Sequence, residues 1–417
     1  MTRPDLVRPQ RPVGALPGLP AVRSVYQPIV NLLTGDVVAY EALARGESGG
    51  SLESPADLFA WARQTGMEAD MDLACQVAAM TGALERGLPT SIPLFINAEP
   101  AWLHRPWPRH LSEIRDRAGE RLQVVVEITE RTLANDPAGL FAAVRQVRQA
   151  GWGVALDDVG AEPASLALMP FIDPDVIKLD LRLIQGNTTA EIASVINAVI
   201  AQAERTGALV LAEGIETEEH RARALAMGAT LGQGWLLGRP GALPLRPRVP
   251  AHDLSFTRPH RLSPATPFEA IRNVRPVRTT SKGMLLALSH HLENHALGDT
   301  TAPVLLSTFE DATHFTPATA IRYQRLAGRC AFVAALGAGM SPLPIPGVRG
   351  ADLTADDRLA GEWVVAVVGP HFTGALIAKD LGDTGPDRDR RFDFAITYDR
   401  ELVLDAARSL FERITPI

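Results

Sequence analysis

Asn97, Glu127, Asp157, Asp158, Lys178 and Glu213 each fall at the end of a short apolar run, and Glu41 follows another, residues 37–40. Carboxylate and amide oxygens suit hard divalent cations such as Mg²⁺ or Mn²⁺. Two such ions clamp a phosphodiester, lower the pKa of a bridging water and stabilise the leaving oxygen. Lys178, set among these acids, is placed to orient that water or to neutralise charge. In Glu41-Ala42-Leu43-Ala44-Arg45 a carboxylate and a guanidinium stand four residues apart, suited to a metal ion and a phosphate. Taken singly, each residue reads better as a helix cap or a loop polar group. In register, they argue for one site.

The elements that would position them alternate between strand and helix over residues 24–240. Strand signals cover 37–40, 92–96, 122–126, 153–156, 176–177 and 209–212. Helix signals start at Pro55, with Ser54 as cap and Asp57 three residues on, and cover 68–86, 136–150, 189–205 and 218–227. Thr188 and Glu191 have the spacing of a capping box. Val124-Val125-Val126 is apolar on both faces, as in parallel strands covered by helices. A repeat of this length predicts a (β/α)8-type, TIM-like barrel, whose active sites lie at the carboxyl ends of the strands.

The remainder divides by composition. Residues 1–20, rich in Pro and Arg, read as a disordered leader, 21–241 as the barrel, and 242–266 as a Pro-rich, semi-extended linker. Residues 267–417 read as a smaller mixed α/β domain. Its helix signals lie at 281–296, 317–327 and 400–413. Its strand signals lie at 304–309, 331–336, 363–368, 375–379 and 392–397, with an antiparallel hairpin at Gly369-Pro370. Net charge is −7 over 417 residues, so there is no basic footprint for duplex nucleic acid. No apolar run reaches the length of a membrane span. Cys75 and Cys330 read as buried free thiols of a reducing cytoplasm. His290, His291 and His295 share a helix; the His291–His295 spacing allows a metal, but a solvated face explains it better. Residues 387–391 alternate in sign and read as a solvated turn.

Residues 24–240 also carry, in order, Glu41-Ala42-Leu43-x-Arg45, Asn97, Glu127-Ile128-Thr129-Glu130, Asp157-Asp158-x-Gly160, Lys178-Leu179-Asp180, Ala212-Glu213-Gly214-Ile215-Glu216-Thr217, Gln233-Gly234 and Gly238-Arg239-Pro240. In this they resemble the EAL domain, the cyclic di-GMP phosphodiesterase family. The resemblance implies a barrel that opens cyclic di-GMP to linear pGpG with two Mg²⁺ or Mn²⁺ ions. It implies Glu41, Asn97, Glu127, Asp157, Asp158 and Glu213 as metal ligands, and Glu41, Lys178, Glu213 and Gln233 in catalysis. Lys178 and Gln233 would position the water, and Glu213 would serve metal or base. Gln27, Leu43, Arg45 and Glu216 would contact substrate, and Glu130 would anchor the loop after Asp158. A homodimer is implied as well. That loop departs from the family pattern: Asp-Asp-Phe-Gly-Thr-Gly-Tyr-Ser-Ser-Leu becomes Asp157-Asp158-Val159-Gly160-Ala161-Glu162-Pro163-Ala164-Ser165-Leu166. Gly46 stands where a Trp is common.

Residues 267–417 resemble the DICT sensory domain through Thr266-Pro267-Phe268, Ser281-Lys282, Leu288-Ser289-His290 and Phe309, which implies that they sense a signal. Two other readings remain. The altered loop favours a slow or inactive cyclic di-GMP receptor acting through a protein partner. A pure interaction module would hardly keep so many clustered acids.

Overall fold

A computed structural model describes residues 16, 18–99, 108–129, 137–161, 166–187, 189–249, 254, 256, 266–384 and 386–415. Strands β1 (Arg23–Asn31), β2 (Val37–Arg45), β3 (Leu94–Asn97), β4 (Val124–Thr129), β5 (Gly153–Val159), β6 (Val176–Leu179), β7 (Leu209–Ala212) and β8 (Leu231–Gly232) close into a barrel in chain order. The β2, β3 and β4 pairings are parallel, with Tyr40 opposite Leu94 and Leu94 opposite Val124. Val124, Val125 and Val126 are all buried, as a strand covered on both faces requires.

Two features differ from the sequence expectation. β1, not anticipated, runs antiparallel to both β2 and β8. Only residues 32–36 join β1 to β2, enough for a hairpin but far short of a parallel crossover. The Asn31 side chain holds this turn by accepting from the amides of Leu33 (2.9 Å) and Thr34 (3.2 Å). The second difference follows. Because β1 pairs as far as Arg23 opposite Arg45, β2 continues through Glu41 to Arg45, where a polar loop was expected.

Helices Pro55–Thr65, Glu68–Arg86, Pro137–Gln149, Ala190–Thr206 and Glu218–Ala226 follow the apolar periodicity. Ser54 caps the first, accepting from the Asp57 amide at 3.2 Å. Thr189 caps the fourth, accepting from the Ile192 amide at 3.2 Å; Thr188 lies outside the described residues, as does Asp136. Part of the expected linker is packed: Phe256 is buried, edge-on to Phe95 with centroids 6.3 Å apart.

The C-terminal domain is a seven-stranded mixed sheet in the order β12-β11-β10-β13-β14-β15-β9. Its strands are β9 (Arg278–Ser281), β10 (Val304–Asp311), β11 (Phe332–Ala338), β12 (Arg349–Asp352), β13 (Glu362–Val368), β14 (Thr373–Asp380) and β15 (Arg391–Thr397). The expected hairpin joins β13 to β14, with Val368 opposite Thr373. β9, β12 and the one-turn helix Pro267–Ile271 were not anticipated; β9 and β12 are four-residue sheet edges without apolar alternation. Leu285 and Leu292 of helix Lys282–Gly298 and Tyr323 of helix Pro317–Ala327 share a core with Leu305, Val365, Val367 and Leu376. The alternate residues Val364, Ala366 and Val368 are buried as well, so both faces of β13 are covered. His290, His291 and His295 lie on an exposed helix face.

Residues 387–391 are not merely a solvated turn. Arg390 bonds Glu310 Oε2 at 2.8 Å and also Asp380, and Asp387 Oδ1 accepts from the buried Lys282 Nζ at 2.6 Å. The Glu310 bond heads the causes that raise the Arg390 guanidinium above its ordinary range. Cys75 and Cys330 are free but only half-buried, and burial pushes both thiols up to about 12.

By packing, segments Thr129–Arg145 and Leu156–Leu211 group with the region from Arg258 onward in one compact unit. Within it, Phe411 of helix Arg400–Phe411 meets Phe141 and Phe171 edge-on, with centroids 4.8 and 4.9 Å away. Arg408 Nη2 donates to the Pro170 carbonyl at 2.9 Å.

Asp72, in helix Glu68–Arg86, is buried and accepts from Gln76 Nε2 at 2.8 Å. Burial pushes its carboxyl up to about 7, and the charge of Glu99 adds to the rise. The folded pKa lies above the unfolded one, so stability is lost as pH rises from about 4 to about 7. Asp72→Asn should therefore raise the melting temperature at pH 8, by up to about 4 kcal/mol in stability, with no gain at pH 4. An equal offset at both pH values in thermal denaturation would contradict this.

Candidate active site

The strand ends bring two sets of polar groups together. In the first, Glu41 on β2 lies opposite Gln27 on β1, and Asn97 on β3 opposite Glu127 on β4. Asn97 Nδ2 donates to Glu41 Oε1 at 3.2 Å, and Gln233, just past β8, donates from Nε2 to Glu41 Oε2 at 2.7 Å. Glu41, Glu127 and Gln233 are buried and Asn97 is exposed. The Gln233 carbonyl oxygen is buried with no hydrogen-bond partner, a cost normally met by a ligand or water.

In the second set, one carboxylate oxygen from each of Asp157, Asp158 and Glu213 lies within 4.8 Å of the others. Lys178, with no solvent exposure, places Nζ 3.0 Å from Asp157 Oδ1. Three carboxylates so close repel one another strongly unless cations stand between them. Lys178 brings an ammonium to this group. The all-oxygen donors, their close approach and the orphaned Gln233 oxygen fit one or more hard divalent cations.

The backbone after β5 is shaped to this end. Asp158 sits at φ 57°, in the left-handed region that non-glycine residues rarely adopt. Gly160 follows at φ 105°, and a Cβ there would lie 2.7 Å from Leu183 Cδ1. The turn thus spreads Asp157 and Asp158 from one strand end while passing close under Leu183.

Residues 20–240 match the model of the EAL domain, more than half of the chain. The chain belongs to the EAL family. Residues 268–381 match the domain described as the sensory domain in diguanylate cyclases and two-component system, DICT. Among curated relatives, the EAL region is 33% identical over 224 residues to the Probable cyclic di-GMP phosphodiesterase PdeB of Escherichia coli K12, covering 52% of this chain and 42% of PdeB. It is 31% identical over 221 residues to the cyclic di-GMP phosphodiesterase RocR of Pseudomonas aeruginosa, covering 52% of this chain and 56% of RocR. The chain thus spans about half the length of these relatives. Among solved structures, Klebsiella pneumoniae BlrP1 in a manganese and cyclic di-GMP complex is 30% identical, with a TM-score of 0.48, covering 55% of this chain and 58% of that one.

The other expected site residues of the EAL barrel are less engaged. Gln27 Nε2 donates to the Gly238 carbonyl at 3.1 Å. Half-buried Arg45 reaches only its neighbour's carbonyl, Ala44 O, at 2.7 Å; burial, then Arg23, lowers its pKa. Leu43 is half-buried, and Glu216 is exposed with its amide donating to His220 Nδ1 at 3.3 Å. Glu130 and residues 162–165 lie outside the described residues. One feature went unread: Trp235, 55% exposed, lies under the Arg239 guanidinium at 4.3 Å, offering a flat surface two residues beyond Gln233. Only the Gly238-Arg239-Pro240 motif hinted at it.

Gly160→Ala should lower the melting temperature by several degrees, since positive φ and the Leu183 contact together cost about 1–3 kcal/mol. Gly119→Ala, in a helix with nothing within 4 Å of the new methyl, should be neutral or stabilising by about 1 kcal/mol. Equal melting temperatures for the two variants would show that the turn after Asp158 is not constrained.

Proposed function

We propose that this chain hydrolyses cyclic di-GMP to linear pGpG with Mg²⁺ or Mn²⁺, under control of its C-terminal domain. The observation carrying the reading is the Asp157, Asp158 and Glu213 cluster with buried Lys178 at the strand ends of an EAL barrel. The names of PdeB and RocR, and the manganese and cyclic di-GMP complex of BlrP1, point the same way.

Glu41, Asn97, Glu127, Asp157, Asp158 and Glu213 would hold two cations. Bound there, the cations lower the pKa of a water and neutralise phosphate charge. Lys178 fixes Asp157 through its ammonium and, with Gln233, orients the attacking water. Glu213 holds cation or accepts the water's proton. Arg45 takes a phosphate oxygen, with Gln27, Leu43 and Glu216 around the substrate, and Glu130 steadies the loop after Asp158. The same reading takes the working form as a cytoplasmic homodimer of barrel (21–241), linker (242–266) and sensory domain (267–417). No described helix is long and apolar enough to cross a membrane.

Regulation is supported by the packing of helix Arg400–Phe411. It bonds Pro170 and packs on Phe171 in the turn Met169–Ile172, a few residues beyond the loop that follows Asp158. A shift of this helix would reach the metal-binding segment through few intermediaries. The altered loop favours a second reading, a receptor that binds cyclic di-GMP without opening it.

With Mn²⁺, the full chain should convert cyclic di-GMP to pGpG, resolved by ion-pair chromatography. Glu127→Ala should reduce turnover at least a hundredfold. Binding without product in the native chain selects the receptor, and undiminished turnover in Glu127→Ala refutes the site. Arg408→Ala, which removes the bond to Pro170, should change kcat at least twofold with KM nearly constant; an unchanged kcat in a folded variant would sever the proposed link.

A further inference from the structure

A cavity of about 480 Å³ lies inside the C-terminal domain, between helices Lys282–Gly298 and Pro317–Ala327 and the sheet. Its size is that of a small-molecule pocket, and nothing in the hydrolytic reading uses it.

Its walls are aromatic and ordered. Phe309 and Tyr323 meet edge-on with centroids 5.6 Å apart, and Trp363 and Phe392 do the same at 5.9 Å. Trp363 is held in place by its indole N–H, which donates to Ser289 Oγ at 3.0 Å. Tyr323, fully buried, donates its hydroxyl to Glu293 Oε1 at 3.1 Å, and Arg322 Nε donates to Glu293 Oε2 at 2.6 Å. These bonds fix the ring faces before any ligand arrives, which lowers the entropic cost of binding.

Polar groups are left for a ligand. Ser307, 1% exposed, sets its hydroxyl beside the Tyr323 phenol, and that oxygen has a lone pair to spare for a ligand N–H. The charge of the lining selects among ligands. Five carboxylates (Glu293, Glu310, Glu362, Asp380 and Asp387) and two cations, Lys282 and Arg322, line it. Every cation that meets these carboxylates is engaged: Lys282 bonds Asp387, Arg322 bonds Glu293, and Arg390 bonds Glu310 and Asp380, while Lys379 Nζ stands 3.9 Å from buried Glu362. An anion would find each of these cations already paired, whereas a cation gains from the negative charge that remains, at Glu362 above all, and from the ring faces.

We propose that this cavity is a binding site for a small aromatic ligand bearing a positive charge, such as an arylmethyl ammonium, seated among Phe309, Tyr323, Trp363 and Phe392 with Ser307 as a hydrogen-bonding partner. Binding follows from the cavity alone; only its effect on turnover rests on the regulatory reading above.

The test uses two probes that differ chiefly in charge, 1-naphthylmethylammonium and 1-naphthoate, with saturation-transfer NMR and calorimetry on the full chain. The ammonium should bind, with the carboxylate at least tenfold weaker. Ser307→Leu, which fills part of the cavity and removes the hydroxyl, should weaken the ammonium at least tenfold while the circular dichroism spectrum is kept. If that variant does not fold, Leu286→Trp at the half-open rim (Leu286 is 39% exposed) should weaken it by narrowing entry. Absence of binding by the ammonium, tighter binding of the naphthoate, or equal affinity in a folded cavity variant would each overturn the proposal. All three readouts are independent of cyclic di-GMP hydrolysis, so loss of one reading leaves the other standing.

Discussion

Like charge held at close range is the constraint on which this molecule turns. Asp157, Asp158 and Glu213 crowd their oxygens within 4.8 Å, and in water such a group would spread apart. The barrel prevents that. β5 fixes the two aspartates, the end of β7 fixes the glutamate, and β6 carries Lys178 into the interior, where one ammonium offsets part of the repulsion. The positive φ of Asp158 is the local strain that this placement demands. Apolar burial along the strands supplies the stability against which both costs are set. The same crowding of carboxylates that costs stability favours cations between them.

Charge is handled differently in the C-terminal domain. Arg390, Lys282 and Arg322 are each set against carboxylates, clamping the 387–391 segment and helix Lys282–Gly298 to their surroundings. Opposite charges are paired around the aromatic cavity of this domain, whereas like charges are crowded together at the barrel mouth. The helix Arg400–Phe411 contacts the segment that follows Asp157 and Asp158, with Phe411 against Phe171 and Arg408 bonding the Pro170 carbonyl.

Much of this was legible in the sequence because the strands are short, apolar on both faces and punctuated by acids. The run Val124-Val125-Val126 before Glu127 marks both a covered strand and its polar carboxyl end. Helix Glu68–Arg86 was readable from its apolar periodicity. What escaped depends on pairing partners distant in sequence. β1 becomes a strand through β2 and β8, and its ladder in turn extends β2 past Glu41. The four-residue edges β9 and β12 carry too little pattern to declare themselves. Residues 387–391 looked like solvent-facing alternation because their partners, Lys282, Glu310 and Asp380, lie elsewhere in the chain. The hydrogen bonds of Asn97 and Gln233 to Glu41 likewise join residues with no local signature.

The central claim is that the carboxylates at the barrel mouth are a cation site rather than solvated acids. Electron paramagnetic resonance titration of Mn²⁺ into the chelator-treated full chain, without nucleotide, tests it most directly, because the signal of free Mn²⁺ falls as the ion is bound. The account predicts saturable Mn²⁺ uptake by the native chain and its loss when Asp157 and Asp158 are both replaced by Asn in a protein that keeps its circular dichroism spectrum. Equal uptake by the two proteins, or none by the native chain, would contradict it.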